Sequence, residues 1–276
     1  MVAQQQKPVR RPVTPRERLR TILRARISEV PAIYLPFARR KYPGPSPEVI
    51  GPETELVIDG YTRSATTFAV YAFQIAQPRP VRMAHHLHAP AQLIAAARRR
   101  VPTIALIREP RAAILSQLVR EPGVAPQDAL MAYARFYRIL LPYAGDLVLG
   151  EFDEVTTDFG SVVRKVNRRF GTSFAAFEHS EANTRACFEL IKLRPTLSPA
   201  LLGFESGVVT LGEARRAGAV LADGGSGSED AWIPSANRRR IKEEIEEELD
   251  DPRLADLRSG AMSAYRSFVS ASTERE

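Results

Sequence analysis

The residues best suited to chemistry lie in short segments flanked by apolar runs. Gly60-Tyr61-Thr62-Arg63-Ser64-Ala65-Thr66-Thr67 separates the buried-looking strand Leu56-Val57-Ile58 from a helical run, Phe68 to Ile75. Backbone N–H groups at a helix N-terminus converge on an anion, and the macrodipole favours negative charge there. The spacing echoes the nucleotide-binding pattern GxxxxGK(S/T), with Thr67 at the hydroxyl position. Thr66 replaces the lysine that would reach a terminal phosphate, and Ala65 replaces the second glycine. An ATP- or GTP-hydrolysing site would therefore lack its main cation, whereas Arg63 supplies a positive group elsewhere in the loop.

A second segment, Ile107-Arg108-Glu109-Pro110-Arg111, ends the strong strand Ile104-Ala105-Leu106-Ile107. Carboxyl ends of strands are where open α/β sheets bind ligands. Arg108 sits at that tip, and Ser116 follows about two turns into the next helix. Converging on one phosphate, they would make charge-assisted hydrogen bonds. The competing reading pairs Arg108 with a structural carboxylate and leaves Ser116 on a helix surface. Between these segments stand His85, His86 and His88, imidazoles that titrate near neutrality and can take a proton from a reacting hydroxyl. They could equally be satisfied polar groups. His179 stands apart and receives no role, and the single cysteine, Cys187, excludes an internal disulfide framework. No metal-ligand spacing is present.

The elements that must position these groups alternate between short apolar strands and helices. Strands are expected at 56–60, 81–84, 104–107 and 146–150, with helices over Phe68–Ile75, Gln92–Arg100, from Pro110, over Met131–Leu141, and from Thr157 or Asp158 to Phe170 before Gly171. This pattern implies an α/β fold, a three-layer sandwich with a central, mainly parallel, P-loop-like sheet. The aromatic residues Phe68, Tyr71 and Phe73 behind the loop read as core. Gly218–Glu229 reads as a loop, and Ser235–Leu249 and Leu254–Ser270 as two surface helices.

Residues 1–47 read as a basic arm, a helix and a proline-rich linker, ahead of an α/β domain over 48–276. Thr14, Pro15 and Glu17 give a capping box and helix start, Leu19, Ile22, Leu23 and Ile27 mark one apolar face, and Pro31 and Pro36 limit the helix. Pro43, Pro45 and Pro47 stiffen the linker. Residues 1–40 hold ten basic side chains against Glu17 and Glu29, a balance of +8 in a chain whose total is +7, so the other 236 residues carry −1. The basicity belongs to the arm, and with few aromatics to interleave it argues against nucleic acid. Two readings of the arm stay open: a helix packed on the body with a solvated basic face, or a peripheral contact with a membrane or polyanion. No apolar run is long enough to span a bilayer and no apolar signal core is present, so the expected compartment is the cytoplasm.

Taken together, the two phosphate segments resemble the sulfotransferase superfamily, whose hallmarks are Y-P-(K/R)-S-G-T-T and, farther on, R-(D/N)-P-(R/K)-D-x-x-x-S. Here they read Tyr61-Thr62-Arg63-Ser64-Ala65-Thr66-Thr67 and Arg108-Glu109-Pro110-Arg111-Ala112-Ala113-Ile114-Leu115-Ser116. The resemblance covers residues 50–170. It implies that Arg63, Ser64, Ala65, Thr66 and Thr67 cradle the 5′-phosphosulfate of PAPS (3′-phosphoadenylyl sulfate), and that Arg108 and Ser116 bind its 3′-phosphate. Sulfotransferases often carry their general base in a His-x-Pro context, which His88-Ala89-Pro90 matches, so His88 is the first choice and His86 the second. The implied activity is metal-free transfer of a sulfuryl group from PAPS to a hydroxyl or amine of a small-molecule, carbohydrate or lipid acceptor, with Arg63 stabilising charge on the departing nucleotide.

Thr62 replaces the family's proline, Ala65 its glycine and Ala112 a common aspartate. The Ala65 methyl is accommodated if the backbone there is helical, and otherwise it blocks the ligand. The late glycine-rich nucleotide segment has no clear counterpart; Ser226–Pro234 and Arg238–Arg240 occupy the comparable region. Two other functions remain: a P-loop nucleotide kinase or phosphotransferase, with Asp59 or Asp153 holding magnesium, and a non-catalytic nucleotide-binding module.

Overall fold

Side-chain alternation along the strands sorts the core into two layers. In the computed structural model, which describes residues 13–41, 48–194, 198–222, 242 and 245–274, the chain begins with α1 (Pro15–Ile27) and α2 (Pro31–Lys41). There follow β1 (Leu56–Gly60), α3 (Thr66–Ala76), β2 (Met83–His85), α4 (Pro90–Arg99), β3 (Thr103–Ile107), α5 (Pro110–Arg120) and α6 (Pro126–Leu140). A 3-10 segment (Leu141–Asp146) leads to β4 (Val148–Glu151), then α7 (Phe152–Thr157), α8 (Phe159–Phe170), α9 (Glu181–Leu193), α10 (Pro199–Glu205), α11 (Leu211–Ala222) and α12 (Ala255–Thr273).

The strands form one sheet, ordered β2-β1-β3-β4, and every pairing is parallel. Leu56, Ile58, Ile104, Leu106 and Val148 face α3, α8 and α9. Their neighbours Val57, Ala105, Ile107 and Leu149 face α4, α5, α6 and α12. Period-two alternation therefore buries both faces, the situation in which parallel strands are found. The expected three-layer α/β architecture is present.

The strand order places a switch point between β1 and β3. From β1 the chain runs through α3 to β2 on one side, and from β3 it runs through α5 and α6 to β4 on the other. Helices α3 and α5 also pack on opposite faces, so their N-termini diverge from the two central strand tips, the place where open α/β sheets form a ligand crevice. The strands close tightly there. A Cβ on Gly60 would lie 2.1 Å from the Leu106 carbonyl oxygen, so only glycine fits.

Most predicted boundaries differ by a few residues for local reasons. The weak strand expected from Val81 starts at Met83, because the Gln74 amide clamps both backbone groups of Val81. Thr14 and Glu17 form the expected capping box. Asp158 caps α8 through Ser161 N, and Gly171 closes it at φ 66°. Pro36 does not end a helix: Pro31 opens α2 and Pro36 lies inside it, while Leu35 and Ala38 are buried. Far from being a surface helix, α12 packs on α6 and buries Ala261, Ala264 and Phe268.

Helix α1 turns the opposite way from the packed-helix reading. Its apolar residues Leu19, Ile22, Leu23 and Ile27 are exposed, and no residue within it is buried. Polar contacts dock it instead. Arg18 makes two 3.1 Å hydrogen bonds to the buried Asp128 carboxylate, Glu29 pairs with Arg135, and the Ser28 carbonyl accepts from Ala91 N at 2.9 Å.

The linker prolines Pro43, Pro45 and Pro47 lie outside the described residues, as do Ser226–Pro234, Arg238–Arg240 and most of the helix expected over Ser235–Leu249. Helix α11 continues to Ala222, into the start of the stretch expected as a loop. No described helix is long and apolar enough to cross a membrane.

Candidate active site

The loop after β1 is held in an unusual backbone shape. Arg63 and Ala65 both adopt left-handed conformations, at φ 69° and 68°. Such φ values are uncommon outside glycine. The backbone at Ala65 is thus helical but of the left-handed kind that favours glycine. Ala65 is the N-cap of α3, and no side chain caps that helix. Tyr137 secures the loop from beneath, its hydroxyl accepting from Tyr61 N at 3.3 Å and donating to the Leu106 carbonyl at 2.9 Å.

Two hydroxyls within the loop, Ser64 Oγ and Thr66 Oγ1, are buried without a hydrogen-bond partner. Ser64 lies within reach of the Tyr137 phenol, which burial holds above its ordinary range and Ser64 only partly lowers, so Thr66 is the clearer case. An unsatisfied buried hydroxyl beside an uncapped helix N-terminus suits a phosphate oxygen, because a buried polar group without a partner is costly. The loop residues therefore fit the anionic end of a nucleotide. Thr67 differs, since its hydroxyl sits 3.0 Å from His86 Nε2.

The second segment comes to the same place. Arg63 Nε donates to Ser116 Oγ at 3.0 Å, and Arg108 Nη1 donates to the Arg63 carbonyl at 3.3 Å. The Arg108 guanidinium stacks over the Phe152 ring, 3.7 Å from its centroid, and Tyr133 OH donates to the Arg108 carbonyl at 2.5 Å. Glu109 caps α5 by accepting from Arg111 N and Ala112 N, which fixes the helix that carries Ser116. Arg111 turns away, into ion pairs with Glu246 and Asp250. Arg63 thus reaches the Arg108–Ser116 side of the crevice instead of standing apart at the opposite end of a nucleotide.

The three histidines take different positions. His88, on the rim, places Nδ1 2.9 Å from the Gly60 carbonyl and 3.4 Å from Asp59 Oδ1. Both neighbours accept, so Nδ1 carries a proton, and the tautomer with that proton leaves Nε2 as the nitrogen with a free lone pair. His86 is partly buried but its side chain is almost enclosed, between Thr67 and His85, whose Nδ1 lies 2.7 Å from its own. Burial, reinforced by the Arg194 charge, holds His86 well below the usual imidazole range and pushes His85 down to about 3. Both His86 and His88 have positive φ, at 56° and 50°. A cavity of about 380 Å³ lies between α1, the β1 loop and α6, and His88, Tyr61, Thr62, Gln117 and Phe136 are among its walls.

Asp59 is fully buried, and its oxygens accept from Gly60 N, His88 N and Gln92 Nε2. That explains its place after Ile58 structurally, and it leaves little capacity for the magnesium role weighed for it. Asp153 is exposed on α7.

Sequence reasoning missed the support beneath His86. Glu205, at the end of α10, accepts from Tyr71 OH at 2.5 Å and from Arg194 Nη2 at 3.2 Å, with Arg194 Nε 2.9 Å away. Tyr71 is core, as expected, but its hydroxyl belongs to this network. Burial raises the Glu205 carboxyl above its ordinary range, and Arg194 opposes that rise. Glu205 and Arg194 are distant in sequence from both motifs, so no spacing could have revealed them. Among the described residues, His85, His86 and Glu205 hold ligand atoms close enough together for a metal ion. A cation there would compete with the Arg194 guanidinium for the same carboxylate.

No family model matches the chain, and no curated protein does. One solved structure is similar, the crystal structure of mouse sulfotransferase SULT7A1 complexed with PAP. It is 14% identical, with 78% of this chain and 91% of that chain covered and a TM-score of 0.36.

Proposed function

We propose that the chain is a PAPS-dependent sulfotransferase acting on a hydroxylated acceptor. The observation that carries this reading is the convergence of Arg63, Arg108 and Ser116 in the crevice at the switch point, beside the uncapped N-terminus of α3. A nucleotide bearing phosphates at both its 3′ and 5′ positions matches two such anion-binding features. Thr66, Ser64 and the first N–H groups of α3 would hold the 5′ side, and Arg108, Ser116 and Arg63 the 3′-phosphate.

The bound donor supplies an activated sulfuryl group, released from the nucleotide as the acceptor oxygen bonds to sulfur. The chain's own part is to orient and to move a proton. His88 takes the acceptor's proton on Nε2, while Nδ1–H stays anchored to the Gly60 carbonyl, and the Asp59 carboxylate beside it stabilises the imidazolium that forms. His86 is the weaker candidate, because both its ring nitrogens are engaged and burial disfavours its charged form. The cavity reached by His88 would take the acceptor. None of these steps uses a metal.

Thermal-shift measurements with adenosine 3′,5′-bisphosphate and with ATP test the reading. Stabilisation by the bisphosphate alone is expected. Stabilisation by ATP with magnesium alone would point to a phosphotransferase, and stabilisation by neither to a non-catalytic module. A screen of acceptors with radiolabelled PAPS then identifies the substrate.

A further inference from the structure

We infer that α1 and α2 form a docking face for an anionic lipid bilayer. Among the described residues, the large apolar side chains that are exposed concentrate in this one segment: Leu19, Ile22, Leu23 and Ile27 on α1, Val30 between the helices, and Ile33 and Phe37 on α2, each 40 to 65% exposed. On α1 the spacing i, i+3, i+4, i+8 gathers them on one side of the helix. The opposite side carries Arg18, Thr21, Ala25 and Ser28 and docks on the body. On α2, Ile33 and Phe37 are four residues apart, whereas Leu35 and Ala38 point into the core. The exposed apolar stripe is therefore the outward face of helices that are already anchored.

Charge identifies what would cover it. Residues 1–40 carry +8 while the rest of the chain carries −1. The two acids of this stretch are committed, Glu17 to the Thr14 capping box and Glu29 to Arg135. Arg16, Arg20, Arg24 and Arg26 interleave with the apolar stripe and form no ion pair among the described residues. A helix with an apolar face and arginines around it lies in the headgroup layer of a membrane, with its apolar side chains among the acyl chains and its cations on lipid phosphates. A second copy of the chain fits poorly, because pairing the same face on two copies would set these arginines against one another.

The test is flotation of the full chain with phosphatidylcholine vesicles, with and without phosphatidylglycerol. Binding is expected only to the vesicles containing phosphatidylglycerol, and is expected to weaken as salt is raised. Leu23→Asp combined with Ile27→Asp, and separately Phe37→Asp, should each abolish flotation. Arg16→Glu combined with Arg26→Glu should weaken it by at least about tenfold. Arg20 and Arg24 are left intact because they also line the cavity near His88. All the substituted side chains are on the surface, and circular dichroism of each variant verifies that it folds. Equal binding to both vesicle types, no flotation, or flotation that these variants leave unchanged overturns the proposal. So does a dimer in solution that Phe37→Asp dissociates. None of these readouts depends on nucleotide binding or turnover, so the docking face and the proposed activity stand or fall separately.

Discussion

Arg63 Nε donates to Ser116 Oγ at 3.0 Å, which joins the loop after β1 to the helix after β3 across the crevice between their tips. The residues lie 53 positions apart, yet the parallel pairing of β1 with β3 makes them neighbours. Arg108 reaches the Arg63 carbonyl as well, and under the proposed function one phosphate would meet both guanidinium groups and the Ser116 hydroxyl. Replacing Arg108 by Ala should weaken binding of adenosine 3′,5′-bisphosphate about 10- to 100-fold, the worth of a hydrogen bond to a charged group. Ser116→Ala should weaken it less. Calorimetric titration with adenosine 5′-phosphate, which lacks the 3′ group, should show almost no change in either variant.

Ala65 tests the strain in the loop. At φ 68° an alanine is penalised relative to glycine, although glycine loses more chain entropy on folding. Ala65→Gly should therefore stabilise the protein by about 1 kcal/mol or less, and Ala65→Val should destabilise it, since branching at Cβ worsens the clash. Urea unfolding of the three proteins measures both. A loss of stability in Ala65→Gly would show that the loop is not under this strain.

His88 and His86 should separate by what fails. His88 is on the rim and bonded to the backbone at Gly60, so His88→Gln should leave thermal stability within about 1 kcal/mol while lowering turnover about 100- to 10,000-fold. His86 bridges Thr67 and His85 in an enclosed position, so His86→Ala should lose stability as well as activity. If His86→Ala alone loses turnover and His88→Gln keeps it, the base is His86.

The two loop segments at the strand tips could be read from the chain because they are local. A strand, a small-residue loop and a helix start follow one another in sequence, and so do Arg108, the Glu109 cap and α5. The support under His86 could not, since Glu205, at the end of α10, comes within 4.0 Å of His86 Nδ1 only through tertiary packing, as does Arg194, just past α9, which pairs with Glu205. The orientation of α1 was equally hidden. An apolar stripe on a helix ordinarily marks the buried face, and here Arg18 on the other side of α1 and Glu29 just after it override it by pairing with Asp128 and Arg135. That Ala65 stands in a left-handed conformation was not legible either, because alanine carries no signal for positive φ.

The histidines predict how stability depends on pH. In the unfolded chain His85 takes up a proton near pH 6.5, but in the folded protein burial delays this to about 3. Between those values the unfolded state binds the extra proton, so stability falls as pH drops below 6.5, by up to about 1.4 kcal/mol per pH unit for one such group. His86 acts in the same direction. Glu205 opposes them above the ordinary carboxylate range, because its raised affinity lets the folded state hold a proton that the unfolded chain has released. Replacing His85 by Asn removes one proton-binding group, so the variant should lose less stability than the parent when urea unfolding is followed from neutral pH to about pH 4.5. An identical slope in both proteins would mean that His85 charges freely in the fold.

The buried pair of Glu205 and Arg194 sets the last prediction. Glu205 is fully buried and the Arg194 side chain nearly so, with Nε and Oε1 2.9 Å apart. Removing only the carboxylate leaves an uncompensated cation in the interior, so Glu205→Ala should cost about 3–5 kcal/mol. Tyr71→Phe deletes the hydroxyl that donates to Glu205 but leaves the ion pair, and should cost only about 1–3 kcal/mol. Replacing both members, Glu205→Leu with Arg194→Met, removes the unpaired charge and should recover much of the loss. If the double variant is no more stable than Glu205→Ala, the pair supports the fold through shape and not through charge. If stability returns but turnover does not, the network's further role is to hold His86, and through it Thr67, at the mouth of α3.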